Sequence, residues 1–401
     1  MILALIAAAA AECTLIQDAT VHTPEGPRAG WDLRIEGAEI TGVAEQIEVG
    51  DCQLVDGSGK HLTYGLIDVM SSLGLVEVGM EGSTHDSNTG GPSRRVLDGY
   101  NPRSSLIPVA RKGGVTAVLL SPGGGRIAGP AERVDLYGGS QSEAVAAGEA
   151  LIFTASLGTN APSSLGDLRL LFEEVRRLPR GTLNATQRAE LGKLSMPVSD
   201  LQALRPLVEG RATLVVRAER ASDIEALLRF ADEERVPLVI HGASEGWLLA
   251  EQLAQAQVPV IVDPLVYSTR SFDTLQARPD NAALLHAAGV PLVFSTTSAH
   301  NGRELTQFAG NAVREGLPHD AALAAITSTP ARIFGFEGQG RLEEGAQASL
   351  VMWSGDPLEL LSSVEALWVR GAQADLRSRH TELRDRYLEG HGGSPAPLTS
   401  E

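Results

Sequence analysis

His241 closes the apolar run Pro237-Leu-Val-Ile-His241, and Glu245 follows four positions later. An imidazole and a carboxylate brought together can move a proton between them, so the two form a candidate acid/base pair. The competing reading of His241 is a satisfied histidine at a strand end. Arg217 closes a second apolar run, Thr213-Leu-Val-Val-Arg217. A guanidinium stays charged and offers five donors in a planar fork, so at such a position it either holds a structural carboxylate or binds an anionic ligand. A third run, Val290-Pro-Leu-Val-Phe-Ser-Thr-Thr297, leads into Ser298-Ala-His300-Asn301. His300 is a further acid/base candidate, and Asn301 either lines the same pocket or caps the next helix. Met70, Ser72 and Thr297 are candidate pocket residues. Met70 reads as apolar filler, and the two hydroxyls as hydrogen-bonding groups or small polar fillers.

Two further groupings have chemical readings. His85-Asp86 sits in the polar stretch Glu81-Gly-Ser-Thr-His-Asp-Ser-Asn-Thr-Gly-Gly91. It reads either as a solvated dyad or, with His241 and His300, as an unexpected set of metal ligands. Ser121-Pro-Gly-Gly-Gly-Arg126 reads as a backbone nest for an anion or as a glycine turn, and it lacks the Lys-Ser/Thr of a phosphate-binding loop.

The elements that must position these residues alternate. Residues 13–63 carry short apolar strands separated by turn clusters, and a second β region spans 340–377. Between them short buried strands such as Gly114-Val-Thr-Ala-Val-Leu-Leu120 are followed by helical stretches, the pattern of a parallel sheet, open or closed. Ser222-Asp-Ile-Glu225 reads as a capping box that opens one of those helices. The chain has 401 residues, 43% of them hydrophobic, enough for one large domain or two. Its net charge of -17 argues against nucleic-acid and anionic-membrane partners. The apolar start, residues 1–12, reads as a signal peptide with a small-residue cleavage site, which implies a periplasmic or secreted protein; without that signal the protein would be cytoplasmic. Cys13 and Cys52 are either a disulfide, worth roughly 4 kcal/mol in the chain-entropy model, or two buried thiols. Residues 390–401 read as a disordered tail.

Several segments resemble the amidohydrolase superfamily in chain order. Thr63-Tyr-Gly-Leu-Ile-Asp-Val-Met-Ser-Ser-Leu-Gly74 is similar to the family's first barrel strand, usually Pro-Gly-Leu-Ile-Asp-x-His-x-His-x-Gly. Gly113-Gly-Val-Thr-Ala-Val118, Thr327-Ser-Thr-Pro-Ala-Arg-Ile-Phe-Gly335 and Gly340-Arg-Leu-Glu-Glu-Gly-Ala-Gln-Ala-Ser-Leu-Val351 resemble later family segments, with the imidazolonepropionase-like members nearest. The resemblance implies a distorted (β/α)₈ barrel over 65–339 and a small composite β-sandwich from 13–64 and 340–377. Family sites lie at the C-terminal ends of the strands.

The resemblance also implies one or two divalent metals such as zinc, held by two His of strand one, a His after strand five, a His after strand six and an Asp after strand eight. Some members add a carboxylated Lys on strand four. Such a metal lowers the pKa of its water from about 15.7 to about 7, which is on the order of 12 kcal/mol at ~1.36 per unit. At those positions this sequence has Met70 and Ser72, Arg217, His241 and Thr297, and none of its three lysines (Lys60, Lys112, Lys193) lies in an apolar strand. The expected set of metal ligands and cofactors is therefore none. Two functions stay open: hydrolysis of amide-type C–N bonds with a remade site, or a non-catalytic relative that binds a small anionic ligand or a partner protein through the pocket. A homodimer is the assembly considered for it.

Overall fold

The computed structural model describes residues 13–391 apart from 149–150, 159, 182–183, 185, 188–190 and 267–270, so the expected signal peptide lies outside the described residues. The chain opens with β1 (Cys13–Thr23), β2 (Gly26–Glu36), β3 (Glu39–Ala44), β4 (Gln53–Asp56) and β5 (His61–Tyr64). Next come β6 (Leu66–Ser71), β7 (Val115–Leu120), β8 (Ile127–Ala128), β9 (Glu132–Asp135) and β10 (Leu151–Ser156). After them run β11 (Ala212–Ala218), β12 (Leu238–Gly242), β13 (Val260–Val262), β14 (Leu292–Phe294), β15 (Leu350–Trp353), β16 (Val364–Val369) and β17 (Ala372–Gln373). A final helix, Arg379–His391, reaches two residues into the stretch expected as a tail, and the rest of that stretch lies outside the described residues.

One eight-stranded sheet takes strands from both chain ends, in the order β17-β16-β15-β5-β1-β2-β3 with β4 beside β1. It has its own core of Ile16, Leu33, Ile35, Leu62, Leu350 and Trp368. Cys13 and Cys52 form a disulfide that ties β1 to the start of β4. Closing a loop across that separation of 39 residues stabilises by about 4 kcal/mol through the unfolded chain.

The middle of the chain forms the barrel wall. β6 and β7 pair in parallel, as do β10 through β14. Parallel strands buried on both faces need apolar residues throughout, and β7, Val115–Leu120, is buried at every position. Alternate residues of the strands meet inside: Ile67, Val69, Ala117, Leu119, Ile152, Val215, Val239, Ile261 and Val293 form one cluster, closed below by Ala331, Phe334 and Phe336. Each fully buried aliphatic of this kind adds roughly 1.5–3 kcal/mol. The distortion is at the third position, where β8 and β9 run antiparallel to β10 and β7, and the Ala131 N–H reaches Ile152 O at 2.8 Å to bridge the gap.

Asp68 joins the remaining edge. Its buried carboxylate accepts from Ser295 Oγ (3.1 Å), Thr296 N (3.0 Å) and Thr296 Oγ1 (2.7 Å), which ties β6 to the end of β14. Burial pushes its pKa up to about 6 against those hydrogen bonds. The folded state therefore holds this proton longer than the unfolded chain, and the contribution of Asp68 to stability falls as pH rises from about 4 to about 6. Asp68→Asn removes that slope. Urea unfolding of wild type and variant between pH 4 and pH 7 should show their stability difference changing by up to about 3 kcal/mol; a constant difference contradicts the assignment.

Candidate functional site

The interior alternation carries straight into the site. Val215 and Val239 point into the barrel, so Arg217 and His241, two residues on, project the same way above them. The parallel register sets Ser156, Arg217 and His241 side by side on β10, β11 and β12. Beyond them a cavity of about 60 Å³, room for only a few waters, is lined by Arg217, Glu219, His241, Ser244, Asp263, Asn281, Ser295 and Thr297.

Arg217 has a 59% exposed side chain, and its Nη2 lies 3.3 Å from Glu219 Oε1. Of its two expected roles, it does hold a carboxylate, but in an open setting that leaves most of the guanidinium facing out. Glu219 accepts from Ser244 Oγ (2.7 Å) as well. His241 is half-buried. Burial, and then the charge of Arg217, lower its pKa to about 4, so the imidazole is neutral at pH 7. A neutral ring with a free lone pair can accept a hydrogen bond or a proton from a ligand.

Backbone strain gathers at the same rim. Met70, Ala243 and Thr297 have φ of 52°, 50° and 50°, a region that costs non-glycine residues, β-branched Thr most of all. The turn at Met70 breaks the β6 register after Asp68 and turns the thioether toward the barrel core, with Sδ 3.4 Å from Ser121 Oγ. Thr297 is exposed at the cavity, with its N–H on Ser295 Oγ at 3.0 Å.

Other candidates lie elsewhere. Glu245 is buried and accepts the Ala221 N–H at 3.0 Å, at the start of the helix Ala221–Glu234. It is thus a helix cap, and the pairing with His241 is corrected: the chain turns at Gly242 and Ala243, both at positive φ, so the four-residue spacing is not helical. The same contact corrects the expected capping box. Ser222 lies inside the first turn, Arg220 is the N-cap residue without a side-chain cap bond, and Asp223 pairs with Arg220 at 2.7 Å. His300 is exposed beside Gly79, in the field of Glu77 and outside the cavity lining. Asn301 makes no side-chain cap bond. Ser72 contributes its carbonyl to Leu75 and Val76. His85 Nε2 contacts Val78 O at 3.0 Å. Among the described residues no three His, Cys, Asp or Glu side chains are arranged to hold a metal ion.

The triple glycine is a turn that receives the loop after β6. A Cβ on Gly124 would fall 2.0 Å from Asn88 Oδ1, and Arg126 is paired with Asp167 at 3.1 Å. Sequence reasoning missed Glu219, Ser244, Asp263 and Asn281. The alternation rule reaches Glu219 and Asp263, two residues beyond the inward Arg217 and Ile261, but Ser244 sits in a turn and Asn281 opens the helix Asn281–Ala287, where the strand period does not hold.

Imidazole NMR should show His241 without a titration midpoint above pH 5, and Arg217→Gln should move that midpoint upward by removing a neighbouring cation. A wild-type midpoint near 6.5 contradicts the burial argument.

A family model, "Amidohydrolase family", matches residues 294–374. The curated protein "Amidohydrolase tasK" of Hapsidospora irregularis is 27% identical over 427 residues, which cover 90% of this chain and 43% of that protein, so the chain spans less than half of its length. The solved amidohydrolase from Thermotoga maritima MSB8 aligns with a TM-score of 0.79 and 27% identity over 91% of this chain and 100% of that one. An atrazine chlorohydrolase from Arthrobacter aurescens TC1, solved with zinc and atraton, shares the fold at 16% identity and a TM-score of 0.54, over 94% and 99% of the two chains. The family-model match, the curated relative and the Thermotoga maritima structure, with the interior strand cluster and the composite sheet, identify the chain as a member of the amidohydrolase superfamily.

Proposed function

We propose that the barrel pocket is a binding site for a small anionic ligand and not a metal centre, so that the protein does not cleave amide-type C–N bonds through a metal-activated water. The observation that carries this reading is the exposed guanidinium of Arg217, in register beside neutral His241 at the cavity. The donor chemistry supports it. A metal of the family's kind takes imidazole, thiolate or carboxylate donors. At the corresponding positions stand a thioether, two hydroxyls and a guanidinium, with His241 as the one conventional ligand. A divalent cation about 4 Å from a guanidinium meets about 8 kcal/mol of repulsion at an effective dielectric of ~20. Glu219 offsets part of it. Arg217 and His241 suit a carboxylate or phosphate group: the guanidinium supplies paired donors, and the imidazole takes a hydrogen bond from a neighbouring ligand hydroxyl or N–H.

The relatives named as amidohydrolases favour retained hydrolysis as the second reading. That reaction would run without a metal, with His241 as a proton acceptor beside Arg217. We also assign the protein to an oxidising compartment, periplasmic or extracellular, a reading the Cys13–Cys52 bridge supports.

Thermal unfolding with inorganic phosphate, acetate and succinate tests the ligand class. Binding to the folded state alone stabilises by about 2.7 kcal/mol at a concentration of 100 Kd. At least one anion should raise the wild-type Tm and leave that of Arg217→Gln unmoved. Equal shifts in the two proteins, or none in wild type, reject an Arg217-centred anion site.

A further inference from the structure

Away from the barrel pocket, three of the nine histidines gather at one seam. His22, near the end of β1, shares a hydrogen bond of 2.9 Å between its Nε2 and Nδ1 of His61, the first residue of β5. Their ring centroids are 5.2 Å apart. On its other side His22 stacks on His319, with centroids 6.2 Å apart and planes 23° from parallel. His319 opens the helix His319–Ala324, and its Nε2 lies 2.9 Å from Asp356 Oδ1 in the turn after β15. Asp356 also accepts the Leu358 N–H at 2.9 Å. Four titratable side chains thus run in one row from the N-terminal strands, across a helix of the barrel, to the C-terminal part of the sheet.

The surrounding charges leave this row to itself. Lys60, next to His61, is paired with Glu365 at 2.7 Å. The cavity alongside, lined by His22 and His319, also receives Glu25, His286, Asp320 and Arg341. The carboxylate that acts on both His22 and His61 is Asp356. It is already hydrogen-bonded to His319, and one carboxylate can balance one imidazolium. A His22–His61 hydrogen bond needs at least one neutral ring, because two imidazoliums present only donors to each other.

We propose that this row is an acid-sensitive latch, which fastens the composite sheet to the barrel while His22 and His61 share a proton and releases it when both rings are protonated. Burial, and then the charges of His61 and His319, lower the His22 pKa to about 4, and burial lowers that of His61. A histidine whose folded pKa lies below its unfolded value of about 6.5 contributes stability that is complete above that value. That contribution is lost as pH falls toward the folded value. For His22 the loss amounts to a fall on the order of a hundredfold in the folded-to-unfolded ratio. The sign is opposite to that of Asp68, so the two titrations are separable.

Peptide-resolved hydrogen exchange of the full chain at pH 7.5 and pH 5, corrected for intrinsic rates, tests the latch. In wild type, peptides covering residues 18–23, 61–64 and 319–326 should exchange roughly tenfold faster at pH 5, while the barrel strands β10 to β12 keep their protection. In His22→Gln, which keeps a hydrogen-bonding group and loses the charge, the local acceleration should disappear. His61→Asn makes the same comparison if the first variant does not fold. Unchanged protection in wild type, acceleration spread evenly over the chain, or equal acceleration in the variants overturns the proposal.

Discussion

The buried carboxylate of Asp68 is the interaction on which the site depends. Two sheets make the barrel wall, and their edges at β6 and β14 are joined by the hydrogen bonds that Asp68 accepts from Ser295 and Thr296. The Ser295 hydroxyl also reaches Val69 O. A buried acid is expensive without such partners, and here the partners are the residues that lead into the rim. Closing the edge holds the backbone at Met70, near the end of β6, and at Thr297, shortly past β14, both at positive φ.

Above that ring the site follows from strand periodicity. Because alternate residues share a face, a valine core at Val215 and Val239 obliges Arg217 and His241 to rise together from neighbouring strands. Proximity then sets their electrostatics: the guanidinium and burial both disfavour a charged imidazole. Glu219, held by Ser244, keeps the guanidinium over the cavity without enclosing it.

This explains which residues were legible in the sequence. Arg217, His241 and Asp68 lie in or at the ends of apolar strands, where a period of two and the resemblance of Gly65-Leu-Ile-Asp68 to a family strand fix both position and direction. Glu245 was misread because two positive-φ residues, Gly242 and Ala243, reverse the chain between it and His241. Its carboxylate meets a helix start 24 residues away in sequence, a partner that local pattern cannot name. His300 and Asn301 follow the positive-φ Thr297, where the strand period has ended. Cys13 and Cys52 had two readings, and only the sheet that brings β1 beside β4 chooses the bridge.

Whether the residues at the strand ends make a metal centre decides the proposed function. Elemental mass spectrometry on untagged protein, purified without chelators and then incubated with Zn²⁺ and desalted, tests it most directly. The proposed anion site predicts metal at background level, unchanged in His241→Ala. Near-stoichiometric zinc in wild type that is lost in His241→Ala would contradict it and restore metal-dependent hydrolysis as the leading account.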